Sequence, residues 1–322
     1  MKKVETVKTL NSEAHALIAL INNWYSAQNA PPREKQSIEQ ARELTRRLAQ
    51  LRWRSGALEM ASIEDIDLCT RSGPRRARVF RPMFETAQFT FVYVHGGGYV
   101  VGGIEDFDPE CRRFANALGC NVIALSYRLA PEDPWPAGIE DVEDAIFEIY
   151  QNKIPNLKSA IILAGASAGA GISAAVCRRF LDAKITPIKL LVLLSPWLDM
   201  TLTQPSTSLY AEGFQLNLSM LQSFCRQYIP IEIANIHPEL SAARNSVSKD
   251  WPETILFAAE CDPLADDAAL FSRRLSEAGV RHHLHFAKGM QHGCHGWWEH
   301  IPSLRSDLEW LDKTILQNAL SN

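Results

Sequence analysis

No apolar run in this 322-residue chain approaches the length of a membrane span. Solid runs such as Leu190 to Leu194 stop far short of the roughly 20 residues a bilayer-crossing helix needs. The amino terminus, Met1 to Lys8, is polar and mixed in charge, and no apolar signal core or cleavage site follows it. A cytoplasmic location is therefore expected. Cysteine is sparse and irregular: Cys69, Cys111, Cys120, Cys177, Cys225, Cys261 and Cys294 are odd in number and never spaced C-x-x-C. That argues against a disulfide framework or a zinc ribbon and for reduced, buried, small side chains. His282, His283, His285, His292 and His295 cluster, and His283 and His285 would share one strand face, yet neither H-E-x-x-H nor a complete zinc spacing occurs. No metal is expected. Charge of one sign is lacking too. The 33 basic and 37 acidic residues leave a net charge of −4, which helps solubility and gives no nucleic-acid footprint. Internal repeats and low-complexity linkers are absent.

What remains is a globular composition, long enough for one large α/β domain with insertions or for two domains. Val7, Leu10, Ala14, Leu17, Ile18, Ile21 and Trp24 recur at helical spacing until Pro31 and Pro32. Ile38, Ala41, Leu44, Leu48 and Leu51 make a second amphipathic segment. Both precede any strand signal, so they read as an arm packed on something else or as a lid over a pocket. Moderate alternation over 63–70 and 76–81, around a turn at Ser72, Gly73 and Pro74, predicts an antiparallel edge. Strands follow over 89–94, 121–127, 159–165, 189–195, 254–259 and 281–286, the first, second and fourth of them read as buried, with helices over 109–118, about 136–151, after residue 167, up to about 278, and at the C-terminus. This alternation implies βαβ units and a mostly parallel sheet. Between Met200 and about Asp250 the buried-strand pattern lapses. One helix with Leu218, Leu221, Phe224 and Tyr228, capped by Asn217, marks an insertion of the kind that tends to carry specificity.

Four features fall at predicted strand ends, where ligands bind in open parallel sheets. Gly165-Ala166-Ser167-Ala168-Gly169 is G-x-S-x-G between a strand and a helix, either a tight corner with a solvent-facing serine or a nucleophile elbow. His95-Gly96-Gly97-Gly98-Tyr99 ends a buried strand, and its glycines allow close backbone approach with N–H groups free for a ligand. A phosphate loop fits poorly, since no Lys-Ser/Thr follows. Asp262, before Pro263, either caps the next helix or fixes an imidazole; Asp266 and Asp267 read as solvated or helix-start charges. Gln291-His292-Gly293 lies in the loop after the last strand, with His295 and His300 as rivals for a base. In the order Ser, Asp, His, Ser167 would be the nucleophile, His292 the general base and then acid, and Asp262 the residue that holds the imidazole tautomer. The oxyanion would sit among the N–H groups of Gly97, Gly98 and Ala168. Turnover would fall at acid pH, because a base must be neutral to act. Trp197, Phe214 and Tyr99 are candidates for pocket walls or ordinary core.

Together with Tyr127-Arg128-Leu129-Ala130-Pro131-Glu132 and Asp262-Pro263-Leu264-x-Asp266, these motifs resemble the hormone-sensitive-lipase family of carboxylesterases from about residue 60 to the C-terminus. The resemblance implies an α/β-hydrolase fold, with a catalytic core over 59–198 and 250–322. A helical cap would be built from the arm, 1–58, and the insertion, 199–249. It implies hydrolysis of short-to-medium acyl esters through an acyl-enzyme, no cofactor, a small-molecule ester as partner, and a possible homodimer. In the family the second and third glycines of the run serve the oxyanion hole, here Gly97 and Gly98. Two positions depart from the pattern: Ala166 stands where the family often has Asp, and Cys294 where an aromatic residue usually follows His-Gly. An amidase or peptidase on the same machinery is an alternative. So is a hydrolase-like small-molecule receptor, against which stands His292, since the gibberellin receptors of similar sequence lack that histidine.

Overall fold

A computed structural model describes residues 8–319 apart from 152, 153, 155, 156, 159, 231, 232, 234 and 235. The expectations for Val7 and Ser159, and for the outermost residues of the arm and of the C-terminal segment, lie outside these. The arm comprises α1 (Ser12–Ala27) and α2 (Ile38–Ala49). Asn11 starts the first by accepting the Ala14 N–H at 2.7 Å, and Ser37 and Gln40 start the second as a reciprocal capping box. The helically spaced Ala14, Leu17, Ile18 and Ile21 are the buried face of α1.

β1 (Ser62–Thr70) and β2 (Gly73–Arg81) pair antiparallel, so Gly73 and Pro74 open the second strand rather than lying in the turn. β3 (Phe89–Val94) is buried along its whole length, as a central parallel strand covered on both faces must be. It is followed by α3 (Asp108–Leu118) and β4 (Asn121–Leu125); Tyr127 lies beyond the strand. Then come α4 (Ala137–Tyr150), β5 (Ala160–Ala166), α5 (Ala168–Asp182) and β6 (Ile188–Leu194). Pro136 takes the cap position of α4 rather than its first turn.

Among its described residues the insertion carries two α-helices. α6 (Pro205–Leu209) is too short for periodicity to announce it, and α7 (Leu218–Tyr228) begins at Asn217, whose side chain accepts the Met220 N–H at 2.8 Å. β7 (Glu253–Cys261), α8 (Ala265–Glu277), β8 (His282–Gln291) and α9 (Arg305–Ala319) complete the chain. Gln291 closes β8 instead of lying in the loop after it. Its partner across the strand pair is Cys261, beyond a register irregularity after Ala259.

The sheet order is β1-β2-β4-β3-β5-β6-β7-β8, antiparallel at the β1 end and parallel from β4 to β8. One face packs on α4, α5 and α8; the other takes α1, α3 and α9. This is the α/β-hydrolase fold. Among the described residues no helix is long and apolar enough to cross a membrane.

Candidate active site

Register brings the site together. Cys261 and Gln291 are the last paired residues of β7 and β8, so Asp262 and His292 are the next residue on each of two neighbouring parallel strands. In the same way Val94 pairs with Gly165, which places the glycine run after β3 beside the turn after β5. A Cβ on Gly96 would sit 3.0 Å from the Ala166 carbonyl oxygen.

Ser167 occupies a sharp turn between β5 and α5, at φ 54° and ψ −116°. Such a conformation costs a non-glycine residue on the order of 1–3 kcal/mol. It is held from several sides: the Ser167 N–H donates to Leu194 O at 2.9 Å, and Ser167 O accepts from Ala170 and Trp197. Gly169 lets the helix press onto β3, since a Cβ there would lie 2.1 Å from Val94 O.

Ser167 Oγ is 2.9 Å from His292 Nε2, and His292 Nδ1 is 2.7 Å from Asp262 Oδ2. Asp262 is buried, and its other oxygen, Oδ1, accepts the Leu264 N–H at 2.9 Å. The aspartate thus faces the imidazole through one oxygen and the turn before α8 through the other, while the cap position of that helix is held by Leu264 without a side-chain bond. Gly293, at φ 67°, turns the chain and donates its N–H to Ser195 Oγ at 3.2 Å. Of the two rivals of His292, His300 is engaged elsewhere, its Nε2 2.6 Å from Leu51 O, and His295 is 4% exposed, with burial and the neighbouring Arg52 pushing it down to about 3. His282, His283 and His285 each meet a different side chain, Ser272, Glu253 and Asp307. Among the described residues no three metal-ligating side chains converge.

In the glycine run, Gly97 O accepts the Val100 and Val101 N–H groups, which folds the loop back on itself. The N–H groups of Gly97, Gly98 and Ala168 donate no hydrogen bond among the described residues. His95 is buried between the rings of Phe107 and Tyr127, and Tyr127 donates its hydroxyl to His95 O at 2.9 Å. Burial pushes the His95 imidazole down to about 4, so it is neutral and bonds through Nδ1 to Gly96 O at 2.7 Å. It is a structural support for the loop.

A cavity of about 210 Å³ opens onto Ser167 and His292. Ile38, Ala41 and Leu48 of α2 and Leu216, Met220 and Phe224 of the insertion give it apolar walls. Of the aromatic candidates only Trp197 lines it; Tyr99 is buried against Tyr228, with centroids 3.9 Å apart, and Phe214 packs on Tyr210 at 4.9 Å. Ala166 also lines the cavity, and Cys294 is fully buried.

Asp267 stands at the helix start, one of the two places expected for it, but it is not solvated. It is fully buried in the first turn of α8 and accepts the N–H groups of Leu198 and Asp199 at 2.8 and 2.9 Å. Burial, with Asp199 beside it, holds its carboxyl well above the usual range. Asp199 goes the other way: burial opposes its charge, but Arg244, Thr201 and Gln204 outweigh that and lower it. These residues fix the chain after β6. No sequence pattern marked them, nor Arg52 and Glu110, which also line the cavity.

A family model described as the alpha/beta hydrolase fold matches residues 91–296. An ethyl acetate hydrolase of Pseudomonas putida is 29% identical over 293 residues, covering 88% of this chain and 91% of its own. Esterase LipI of Mycobacterium tuberculosis is 30% identical over 247 residues, covering 75% of this chain and 77% of its own. The solved structure of a hyperthermophilic esterase from Pyrobaculum calidifontis superposes with a TM-score of 0.87 at 28% identity, over 97% of this chain and 100% of that one.

Proposed function

Because the chain belongs to the hormone-sensitive-lipase-type family of α/β hydrolases and is a carboxylic ester hydrolase, we propose that Ser167, His292 and Asp262 are its catalytic triad. The observation that carries this is the continuous line of hydrogen bonds from Ser167 Oγ through the imidazole to Asp262, 2.9 and 2.7 Å long.

In the first half-reaction His292 Nε2 takes the Ser167 proton as Oγ attacks the ester carbonyl carbon. The oxyanion that forms is stabilised by the N–H groups of Gly97, Gly98 and Ala168, the last at the start of α5. Asp262 keeps the proton on Nδ1 and so leaves Nε2 free to accept. The C–O bond breaks, and His292 gives its proton to the departing alcohol. In the second half-reaction water gives a proton to His292 and attacks the acyl-serine; the proton then returns to Oγ as the acid leaves. Protons and bonds balance without a cofactor.

The arm, 1–58, and the insertion, 199–249, act as a cap over the core segments 59–198 and 250–322, which supply the chemistry. Support comes from the cavity walls, drawn from both cap segments. A cavity of about 210 Å³ suits short-to-medium acyl groups, and a relative named for ethyl acetate hydrolysis points the same way. Hydrolysis of p-nitrophenyl acetate and butyrate tests the reading. No turnover by folded protein, or turnover surviving in Ser167→Ala, overturns it.

A further inference from the structure

Three consecutive residues after β3 have left-handed backbone: Gly97 at φ 120°, Gly98 at 61° and Tyr99 at 67°. Tyr99 carries a Cβ, so this conformation costs it free energy. A strained segment of this kind persists only where its surroundings hold it from several sides. From within, Gly97 O accepts the Val100 and Val101 N–H groups at 3.1 and 3.0 Å. From the loop after β4, the Ala130 N–H donates to Tyr99 O at 2.9 Å. From the helix that begins after Ser167, Gly171 makes room for the Tyr99 ring, since a Cβ there would lie 2.4 Å from the Tyr99 hydroxyl oxygen.

The last hold comes from α7. Phe224 and Tyr228 are four residues apart and so share one face of that helix. They meet two consecutive residues of the run. The Phe224 ring fills the place of a side chain at Gly98, where a Cβ would lie 2.3 to 2.5 Å from three of its atoms. The Tyr228 ring stacks on Tyr99, with centroids 3.9 Å apart and planes 11° from parallel. Tyr228 is itself anchored: it is buried, and its carbonyl accepts the Trp135 N–H at 2.9 Å. Its hydroxyl has no hydrogen-bond partner among the described residues, so what the side chain supplies is its ring.

Resting on the triad and oxyanion reading above, we propose that Phe224 and Tyr228 are positioning residues for the oxyanion hole. Through Gly98 and Tyr99, α7 holds the N–H groups of Gly97 and Gly98 in the arrangement that receives the charge. The insertion then does more than wall the cavity; it completes the electrostatics of the reaction from outside the sheet. A donor stabilises an oxyanion only if it is already aimed at the place where the charge develops. A run with three left-handed residues relaxes once the ring that pins it is gone, and its N–H groups turn away. The loss falls on the transition state and not on the bound ester, so it appears in kcat and leaves KM.

Turnover of p-nitrophenyl butyrate and inhibition by 1,1,1-trifluorohexan-2-one test this together. Ser167 Oγ adds to the carbonyl carbon of the ketone, His292 takes the serine proton, and the carbonyl oxygen becomes an oxyanion in the hole. The inhibition constant, Ki, therefore reads oxyanion stabilisation directly. Tyr228→Leu should lower kcat about tenfold or more with KM within about threefold, and raise Ki by the factor by which kcat/KM falls. Tyr228→Phe keeps the ring and drops only the unpaired hydroxyl, so it should match the wild type within about twofold. Loss of folded enzyme would lower the rate and leave Ki unchanged. An unaltered kcat in folded Tyr228→Leu, an unaltered Ki beside a lowered kcat, or an equal loss in Tyr228→Phe overturns the proposal. Where circular dichroism finds Tyr228→Leu unfolded, Phe224→Leu decides instead: Ki rising more than KM supports the proposal, and Ki rising no more than KM overturns it. Failure of the underlying reading looks different: Ser167→Ala would still turn over p-nitrophenyl butyrate, or the ketone would not inhibit the wild type.

Discussion

Arg42 grips Glu132 with both ends of its guanidinium, Nη1 to Oε1 at 2.9 Å and Nη2 to Oε2 at 2.7 Å. The same side chain donates through Nε to Val100 O at 3.0 Å and through Nη2 to Ala130 O at 3.1 Å. A helix outside the sheet is thereby fastened to the loop that follows the glycine run.

The carboxylate is more than half exposed, so the ion pair itself adds little stability, as surface pairs contribute about 0–1 kcal/mol. Its effect is on position. Arg42→Ala should lower kcat/KM for p-nitrophenyl butyrate by about tenfold with little change in Tm. Arg42→Lys should not rescue it, because an ammonium cannot make the forked contact. Steady-state kinetics and a melting curve on the three proteins check this.

Ser167→Ala and His292→Ala should each lower kcat by about 10⁴-fold or more. His300→Ala should leave it within a few-fold, because that ring is spent on Leu51 O. In Asp262→Asn the carboxamide has one acceptor where two N–H groups, those of Leu264 and His292, now each find an oxygen. If the oxygen stays on Leu264, the amide NH₂ faces Nδ1 and the imidazole proton moves to Nε2, the wrong tautomer for a base. A kcat loss of about 10⁴-fold with unchanged KM is expected, and titration against a burst substrate separates acylation from binding.

Gly97 has φ +120°, and a Cβ there would lie 1.9 Å from Val101 O. Gly97→Ala should therefore displace the loop and cost about 10²–10³ in kcat, the scale of losing one oxyanion donor. Gly98→Ala meets the Phe224 ring, 2.3 Å from the new atom. Pairing it with Phe224→Ala should recover part of the lost activity, a coupling that a double-mutant cycle reads directly.

Acid should destabilise the fold through its buried imidazoles. His95 and His295 are lowered by burial from 6.5 to about 4 and about 3. Between pH 6.5 and those values the unfolded chain binds protons that the folded one does not, so stability falls as pH falls through this window. Each contributes on the order of a few kcal/mol when the window is crossed. Raised carboxyls such as Asp267 work in the opposite sense, since the folded chain then holds the extra proton. Urea unfolding at pH 7 and pH 5 should show the loss, with a smaller drop in His295→Leu.

The strands and their order of features were legible because buried parallel strands are apolar throughout and because Ser167 and Asp262 each follow such a run, whereas His292 follows the half-exposed edge strand β8. Asn217 announced α7 by its own side chain. Other residues carried no such mark. Arg42, Arg52 and Glu110 occupy amphipathic stretches where charge ordinarily faces water, and only the packing of those stretches over the cavity buries Arg52 and Glu110. Asp267 looked like any acidic residue in a first helical turn, a position where the helix dipole favours it. Its burial is set by the chain after β6, more than 60 residues earlier, which local periodicity cannot register. Gln291 lacks the β-branched or aromatic character of a strand residue, so the end of β8 was hidden.

The arm is tied at two places on opposite sides of the reaction. Asn11 donates its N–H to Gly289 O on β8, the strand that leads to His292, while Arg42 holds the loop after the glycine run. The arm's half of each tie, Asn11 and Arg42, lies outside residues 91–296, which the family model matches. A fragment cut down to the matched segment would keep Ser167, Asp262 and His292 and lose the brace that spans them.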